Sequence, residues 1–243
     1  MDLYGIPYSP DCGRAQFALE VKRLDYKFHP FTPRVSDRGL IRVAGRVEVP
    51  TLLDKQIILR GGDEIIDYLE TEYPDVLLRG TQETEMSAIQ RYINLYHELC
   101  RGFQADTMIR FRRNVNDFGK ETAFGFLPKF GRVRAANWIL EGLDEIWDCN
   151  TTNFQQNREQ LTANLRSLVP QLRPGQPLVG SRITDADICF CELGSLFRPE
   201  EDSRNEFGRS LLSILQAEWV TPDITHPYEV WRDTIRQLAD SQA

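Results

Sequence analysis

The side chains best placed for chemistry stand at the start of the first predicted helix. Ser9 directly precedes Pro10, and Cys12 follows three residues after Ser9. A helix N-terminus carries partial positive charge and favours a thiolate nearby, although the adjacent Asp11 opposes one at Cys12. Ser followed by Pro is also an ordinary helix start, in which Ser9 caps the backbone and Pro10 takes the first helical position. The residues alone leave open whether this segment stabilises a thiolate or only begins a helix.

Short apolar runs around this helix predict an α/β segment that ends at Pro74, where proline stops the last helix. Gly61-Gly62 closes a hairpin before that helix. The order βαβ, connector, ββα is that of a thioredoxin-like domain. The predicted elements are a strand at 2–8, a helix at 10–23, a strand at Tyr26–Phe31, a polar connector at Thr32–Glu48, hairpin strands at Val49–Asp54 and Gln56–Arg60, and a helix at Asp63–Tyr73.

Apolar residues at helical spacing dominate the chain from about Gln82 onward and predict an all-helical bundle. We read residues 112–132 as a mobile connection between two long helices. The domain boundary falls between Pro74 and Gly80, which gives domains at 1–76 and 77–243. The predicted stripes are Met86, Ile89, Ile93, Tyr96, Cys100 and Phe103; Val133, Ala136, Leu140, Leu143 and Trp147; Leu161, Leu165, Leu168 and Leu172; Phe207, Leu211, Ile214 and Leu215; and Val230, Trp231, Ile235 and Leu238.

A helix cap is predicted inside this second part. Thr184 is placed to cap the helix backbone, and Asp187, three residues later, can return a carboxylate to the Thr184 N–H. The usual acidic residue in such a box is the longer Glu, but the reciprocal geometry is of the same kind.

Composition excludes several classes of partner. Lys and Arg total 29 against 36 Asp and Glu, for a formal net charge of -7, so the average surface repels nucleic-acid phosphates and anionic lipids. We therefore expect no nucleic-acid partner and no membrane partner. The chain start lacks a signal-peptide pattern and no apolar run reaches membrane-span length, which predicts a cytoplasmic protein.

The five cysteines are scattered without Cys-x2-Cys pairs, which favours reduced thiols over a disulfide framework or a zinc site. Cys189 and Cys191 lie in an apolar helical stretch and are expected to pack there. His97, His29 and His226 are isolated in sequence, so we expect no metal. The other two cysteines besides Cys12 are Cys100 and Cys149.

A thioredoxin-like half followed by a helical half resembles the cytosolic glutathione transferase superfamily. Three local signals carry the resemblance: the segment Tyr8–Glu20 followed by Leu24-Asp25-Tyr26, the pair Val49-Pro50, and the Ser181–Ile188 box together with His226-Pro227 before Trp231. The resemblance implies glutathione as cosubstrate, a small hydrophobic electrophile in a pocket of the helical half, a homodimer and a role in detoxification. Phe103, Met108, Phe111 and Phe118 lie where such a pocket would be, although aromatic core is the commoner explanation.

The resemblance also implies roles for individual residues. Ser9 would stabilise the glutathione thiolate: a hydrogen bond to a charged acceptor contributes about 1.5–3 kcal/mol and a helix N-terminus about 0.3–1 more. Val49, before a cis Pro50, would hold the cysteinyl backbone, with Tyr8 and Pro10 beside it. The glutamyl end would be held by N–H groups of Gly61 and Gly62 and by the carboxylate of Asp63, unless this segment is a plain turn with Asp63 as a helix cap.

Two departures from the family pattern keep other functions open. Gly61-Gly62 replaces the usual Glu-Ser pair, and Glu48 stands where Lys or Gln is common, so that Arg42 or Arg46 would have to compensate its charge near the glycyl carboxylate. One alternative is a binding or regulatory protein of the same fold without turnover. The other is a one-cysteine thiol-disulfide oxidoreductase that uses Cys12.

Overall fold

The computed structural model describes residues 1–148, 151–194 and 220–241, and it confirms a thioredoxin-like first part followed by a helical part. The four strands are β1 (Asp2–Gly5), β2 (Lys27–Pro30), β3 (Thr51–Asp54) and β4 (Ile57–Arg60). The helices of the first part are α1 (Pro10–Val21), α2 (Asp37–Ala44) and α3 (Gly62–Glu72). Those of the second part are α4 (Glu83–Arg113), α5 (Val115–Lys120), α6 (Lys129–Trp147), α7 (Thr151–Leu168), α8 (Asp185–Gly194) and α9 (Pro222–Ser241).

The sheet has the order β2-β1-β3-β4, with β1 parallel to β2 and antiparallel to β3, and with β3 antiparallel to β4. Strand β1 is shorter than predicted, because Pro7 has no N–H for the ladder and the Ser9 N–H closes a turn on the Ile6 carbonyl. The hairpin turns through Lys55, in the left-handed region with φ 56°, and Gln56. Residues 6–9 thereby leave the sheet and lead to the N-terminus of α1.

The predicted connector at Thr32–Glu48 was wrong in part, since it contains helix α2. This helix buries only Leu40 and Ala44, so its apolar pattern is too short to stand out in the sequence. The Asp37 carboxylate accepts the Arg34 N–H at its start, and Gly45 ends it with φ 81°. The predicted mobile connection at 112–132 likewise contains α5, where Phe118 is buried.

Two apolar clusters hold the structure together. The larger one joins the sheet and α3 to α4, α7, α8 and α9, and it includes Leu3, Ile66, Ile93, Leu165 and Trp231. The smaller one joins the segment after β1 and helix α2 to α4, α5 and α6. Met86, predicted on a buried face, is 47% exposed. Cys189 and Cys191 are fully buried, as predicted, whereas Cys149 and the stripe Phe207, Leu211, Ile214 and Leu215 lie outside the described residues.

Within the ranges described above, none of the helices combines the length and the apolar character needed to cross a bilayer.

The cap at the start of α8 forms as predicted on the Asp187 side. The Asp187 carboxylate accepts hydrogen bonds from the N–H of Thr184 at 2.8 Å and from the N–H of Leu178 at 2.7 Å. The Thr184 hydroxyl donates to the same carboxylate at 2.8 Å, where capping geometry predicted a bond to the helix backbone. Asp187 is fully buried. The resulting desolvation raises its pKa to about 6, because the hydrogen bonds to the carboxylate offset the desolvation only in part.

The raised pKa of Asp187 predicts a pH dependence of stability. The folded state binds the Asp187 proton more tightly than the unfolded chain does. The protonated Asp187 therefore makes its whole contribution to the free energy of unfolding below about pH 4, and this contribution is lost as the pH rises through 6. The stability difference between the parent and Asp187→Asn should therefore shift in favour of the parent as the pH falls from about 7 to about 4. Urea midpoints across this range measure the difference, and the exposed Asp75→Asn should keep the parent's profile.

Candidate active site

Ser9 is the N-cap residue of α1, and Pro10 occupies the first helical position, as the helix-start pattern predicted. Its backbone is extended, with φ -90° and ψ 123°. In the described part of the chain its side chain makes no capping hydrogen bond to the helix. The Ser9 hydroxyl instead acts on the Cys12 thiol, whose pKa it lowers. Simple backbone capping therefore does not account for this serine.

Cys12 is fully buried, and its sulfur accepts the Ile6 N–H at 3.3 Å. Desolvation and the nearby Asp11 charge raise the pKa of the Cys12 thiol to about 12, and the hydrogen bonds from Ile6 and Ser9 offset this only in part. A thiol with such a pKa is protonated at neutral pH, and a protonated thiol is a poor nucleophile. The structure thus gives Cys12 neither the access nor the ionisation that a redox cysteine requires.

Tyr8 connects the start of α1 to the helical part. Its ring packs edge-on against Phe111 on α4, with centroids 5.7 Å apart, and against Trp147 on α6, at 6.1 Å. Burial raises the pKa of the Tyr8 phenol above its ordinary value, so the phenol stays protonated. Phe103, Met108, Phe111 and Phe118 are all buried in the two apolar clusters, which confirms core packing, the commoner explanation of these residues.

The Val49-Pro50 peptide bond is cis, as predicted. Glu48 and Val49 lie on the wall of a cleft of about 670 Å³ between α2, the segment before β3 and the C-terminal half of α6. Within the described residues, the N–H and C=O groups of Val49 have no hydrogen-bond partner. The lining residues are Pro33, Arg34, Asp37, Ile41, Val47, Glu48, Val49, Gly142, Glu145 and Ile146.

Charged side chains border this cleft. Arg34, a non-glycine residue with φ 67°, forms an ion pair with Glu145 on α6 and passes against Gly142, where an added Cβ would lie 2.9 Å from the Arg34 side chain. Glu48 pairs with Arg46 at 2.5 Å. Of Arg42 and Arg46, the two arginines expected to compensate the charge of Glu48, Arg46 is the one that forms an ion pair with it.

The Gly61–Asp63 turn adjoins the cis proline. Gly61, with φ 78°, donates its N–H to the Pro50 carbonyl at 2.8 Å, so this N–H is already used inside the protein. The interpretation that it binds a ligand carboxylate is therefore corrected. Gly62 opens α3, where the first N–H groups have no intrahelical acceptor. A Cβ on Gly62 would lie 3.0 Å from Asp11 and 3.3 Å from Arg14.

Asp63 lies between Arg14 and His97. Its carboxylate is 2.9 Å from the Arg14 guanidinium and 3.3 Å from the His97 ring, while more than half of its side chain stays exposed. The hydrogen bond from His97, followed by the charge and hydrogen bond of Arg14, holds the pKa of Asp63 well below its usual range despite partial burial. Asp63 is therefore ionised and still open to solvent at physiological pH.

The role of Arg14 is not evident from the sequence. Its side chain is fully buried and forms a two-pronged contact with Asp185 on α8, at 2.9 and 2.7 Å. Its guanidinium also lies 5.8 Å from the centre of the Tyr96 ring. The only signal in the sequence is an arginine within a helix whose neighbours are largely apolar. Asp11 completes this cluster: burial raises its pKa, and its buried Oδ1 has no hydrogen-bond partner among the described residues.

Residues 3–79 match the family model for the glutathione S-transferase N-terminal domain. Among curated proteins, none matches the chain in sequence.

Solved structures of similar fold cover almost the whole chain. A glutathione S-transferase from Rhodospirillum rubrum F11 is 21% identical, with a TM-score of 0.58, over 98% of this chain and 90% of its own. The beta-etherase LigF from Sphingobium sp. strain SYK-6 is 16% identical, with a TM-score of 0.61, over 100% and 99%. A glutathione S-transferase from Methylobacterium radiotolerans, solved with glutathione sulfonate, is 21% identical, with a TM-score of 0.53, over 93% of each chain. At these identities the likeness establishes the fold.

Proposed function

Because the chain has the glutathione S-transferase fold and, over residues 3–79, the sequence pattern of that family's N-terminal domain, we propose that it is a glutathione-dependent transferase. The observation that supports this proposal most directly is the position of the Ser9 hydroxyl. Its hydroxyl stands at the N-cap of α1 without accepting a backbone N–H of the helix, and it acts on the buried, protonated thiol of Cys12, which is a weak hydrogen-bond acceptor. A thiolate is a stronger acceptor than a neutral thiol, so this hydroxyl gains by turning to a glutathione sulfur.

The chemistry requires the glutathione thiolate. The free thiol has a pKa near 8.5, and lowering it by about two corresponds to about 2.7 kcal/mol of preferential stabilisation of the anion. One hydrogen bond to the charged sulfur contributes about 1.5–3 kcal/mol, and the α1 N-terminus adds about 0.3–1 kcal/mol. These two contributions are sufficient. Glutathione loses its thiol proton to water, the Ser9 O–H donates a hydrogen bond to the resulting thiolate, and the sulfur attacks the electrophilic carbon as the bond from that carbon to its leaving group breaks and the leaving group takes the electron pair.

The peptide backbone of glutathione fits the remaining groups of the first part. Val49 offers an unpaired N–H and C=O on the wall of the cleft, which is the pattern that pairs with an extended cysteinyl residue. The N-terminus of α3 at Gly62 suits the α-carboxylate of the glutamyl end. Asp63, ionised and half exposed, suits the ammonium group, and the Asp11 carboxylate lies close to Gly62. We assign Gly61 a structural role, because its N–H serves the Pro50 carbonyl.

The electrophile is placed in the cleft beside Val49. Ile41, Val47 and Ile146 supply apolar walls for a small hydrophobic molecule. Conjugation, ether cleavage, dehalogenation and peroxide reduction all use the same thiolate. The homodimer and the role in detoxification stay predictions from the resemblance. The boundary between residues 76 and 77 and the cytoplasmic location stay predictions from the sequence pattern.

A thermal unfolding experiment with glutathione tests the proposal. At one hundred times its dissociation constant, a ligand of the folded state adds about 2.7 kcal/mol of stability, so a clear rise in Tm is expected at millimolar glutathione. Cysteinylglycine, which lacks the glutamyl group, should raise the Tm much less. A Tm unchanged by glutathione would contradict the proposal and would favour the binding or regulatory protein of the same fold.

Replacing Glu48 should strengthen glutathione binding. Its carboxylate lies on the cleft wall beside Val49, where like charge opposes the glycyl carboxylate by about 1 kcal/mol or less at a solvated site. Glu48→Gln, which also releases Arg46 from its ion pair, is expected to lower the Kd for glutathione by about two- to fivefold. Calorimetry measures the change. Glutathione with its glycyl carboxylate converted to an amide is the control, and its affinity should not respond.

A further inference from the structure

Two phenylalanines, one just before α6 and one in its first turn, are far more exposed than other large apolar side chains. Phe126 is 81% exposed and Phe130 is 83% exposed, whereas the remaining large apolar residues of the described chain reach at most 47%. Both belong to the segment 120–134, called the aromatic tip below. Isolated exposed apolar residues are normal, but two fully projecting phenylalanines four residues apart call for a partner.

The charge of this region is opposite to that of the whole protein. Between positions 112 and 134 the chain has six Lys and Arg against two acidic residues, although its net charge is -7. The exposed Lys120 pairs with Asp117, but Lys129 and Arg134, also exposed, have no ion-pair partner in the part of the chain that the structure describes. The tip is therefore a local cationic site on an acidic protein.

The apolar residues of the tip form an uncharged run with basic residues next to it. Residues 123–128 form an uncharged run that ends at Pro128, and Lys129 follows directly before Phe130. Phe130, Arg134 and Trp138 recur every four residues on one face of α6, and Trp138 contacts the Phe124 ring edge-on at 6.4 Å. An uncharged projection is thus flanked by cations.

We propose that the aromatic tip binds the surface of an anionic membrane. Phenylalanines inserted at the boundary between headgroups and acyl chains leave Lys129 and Arg134 at the level of the lipid phosphates, where each cation is attracted to the surface. Self-association through the tip is disfavoured, because it would bring the cations of one copy against those of the other. Single-stranded nucleic acid needs rings presented one after another along a basic groove, whereas this tip is an uncharged projection with cations only at its edges. Whole-chain charge predicted no membrane partner because averaging over the chain hides this site.

Sedimentation with lipid vesicles tests the proposal. The partition coefficient should be at least about tenfold higher on phosphatidylcholine vesicles with about 30 mol% phosphatidylglycerol than on phosphatidylcholine alone, and salt near 0.5 M should abolish the difference. The double variant Phe126→Ser/Phe130→Ser should bind the anionic vesicles at least about tenfold more weakly. Because both rings are in solvent, these variants should fold like the parent. Lys129→Glu/Arg134→Glu should lose binding as well.

Met86→Ser is the matched control, because it removes a half-exposed apolar side chain from α4 and should leave vesicle binding unchanged. Equal partition onto neutral and anionic vesicles, no binding to either, or full binding by the double phenylalanine variant would each overturn the proposal. So would a change in oligomeric state of that variant without vesicle binding, which would assign the tip to contacts between copies. Tip-dependent binding of an oligonucleotide in place of vesicles would also overturn it.

Discussion

Replacing Arg14 by methionine should lower the free energy of unfolding by about 3–5 kcal/mol, the cost of leaving a buried charge without its partner. Asp185 is fully buried, and Arg14 donates to both of its carboxylate oxygens. Arg79 approaches one of those oxygens at 3.3 Å, but it is also engaged with Asp67. Urea unfolding followed by circular dichroism measures the loss.

A double replacement separates the ion pair from simple packing. If the cost comes from the orphaned carboxylate, Arg14→Met/Asp185→Leu should recover a large part of the loss, since apolar groups can replace a buried pair at little cost. Arg166→Met is the control for arginine removal, because its pair with Asp223 is more than half exposed and should contribute less than about 1 kcal/mol. Additive losses in the double variant would refute the ion-pair explanation.

Ser9→Ala should lower kcat/KM for glutathione conjugation by about 10- to 150-fold, which corresponds to the about 1.5–3 kcal/mol of a hydrogen bond to a charged sulfur. Ser9→Thr, which keeps the hydroxyl, should retain most of the activity. The loss should shrink above about pH 8.5, where glutathione ionises without help. Initial rates with an aryl halide across this pH range measure the effect.

Cys12→Ser separates the proposed mechanism from thiol exchange. Because Cys12 is buried and its pKa is raised to about 12, its replacement should change conjugation far less than Ser9→Ala does. A disulfide reductase activity that survives Ser9→Ala and disappears in Cys12→Ser would instead favour the one-cysteine oxidoreductase.

The sequence was sufficient where local patterns determine structure. The Ser9-Pro10 helix start, the hairpin before α3 and the long apolar stripe of α4 depend on residues a few positions apart, and each is found near its predicted place. The cap between Thr184 and Asp187 is likewise local. Errors among the elements concern short ones: α2 buries two residues, and α5 has six residues in all.

The candidate site was less predictable, because its contacts join distant parts of the chain. Arg14 and Asp185 are 171 positions apart, and Arg34 and Glu145 are 111 apart, so no periodic pattern connects them. The use of the Gly61 N–H by Pro50 depends on how the hairpin packs beside the cis bond. The residue types indicate which side chains are chemically able to react. Tertiary packing determines which of these side chains are accessible, and Cys12 is an example of one that is buried.

The most direct test of the central claim is the ionisation of glutathione bound to the protein, followed by the ultraviolet absorbance of the thiolate as the pH is varied. The account predicts an apparent pKa about two below the value of about 8.5 for a free thiol, and a return towards that value in Ser9→Ala. Bound glutathione that ionises like the free peptide, or a lowered pKa that persists in Ser9→Ala, would contradict it.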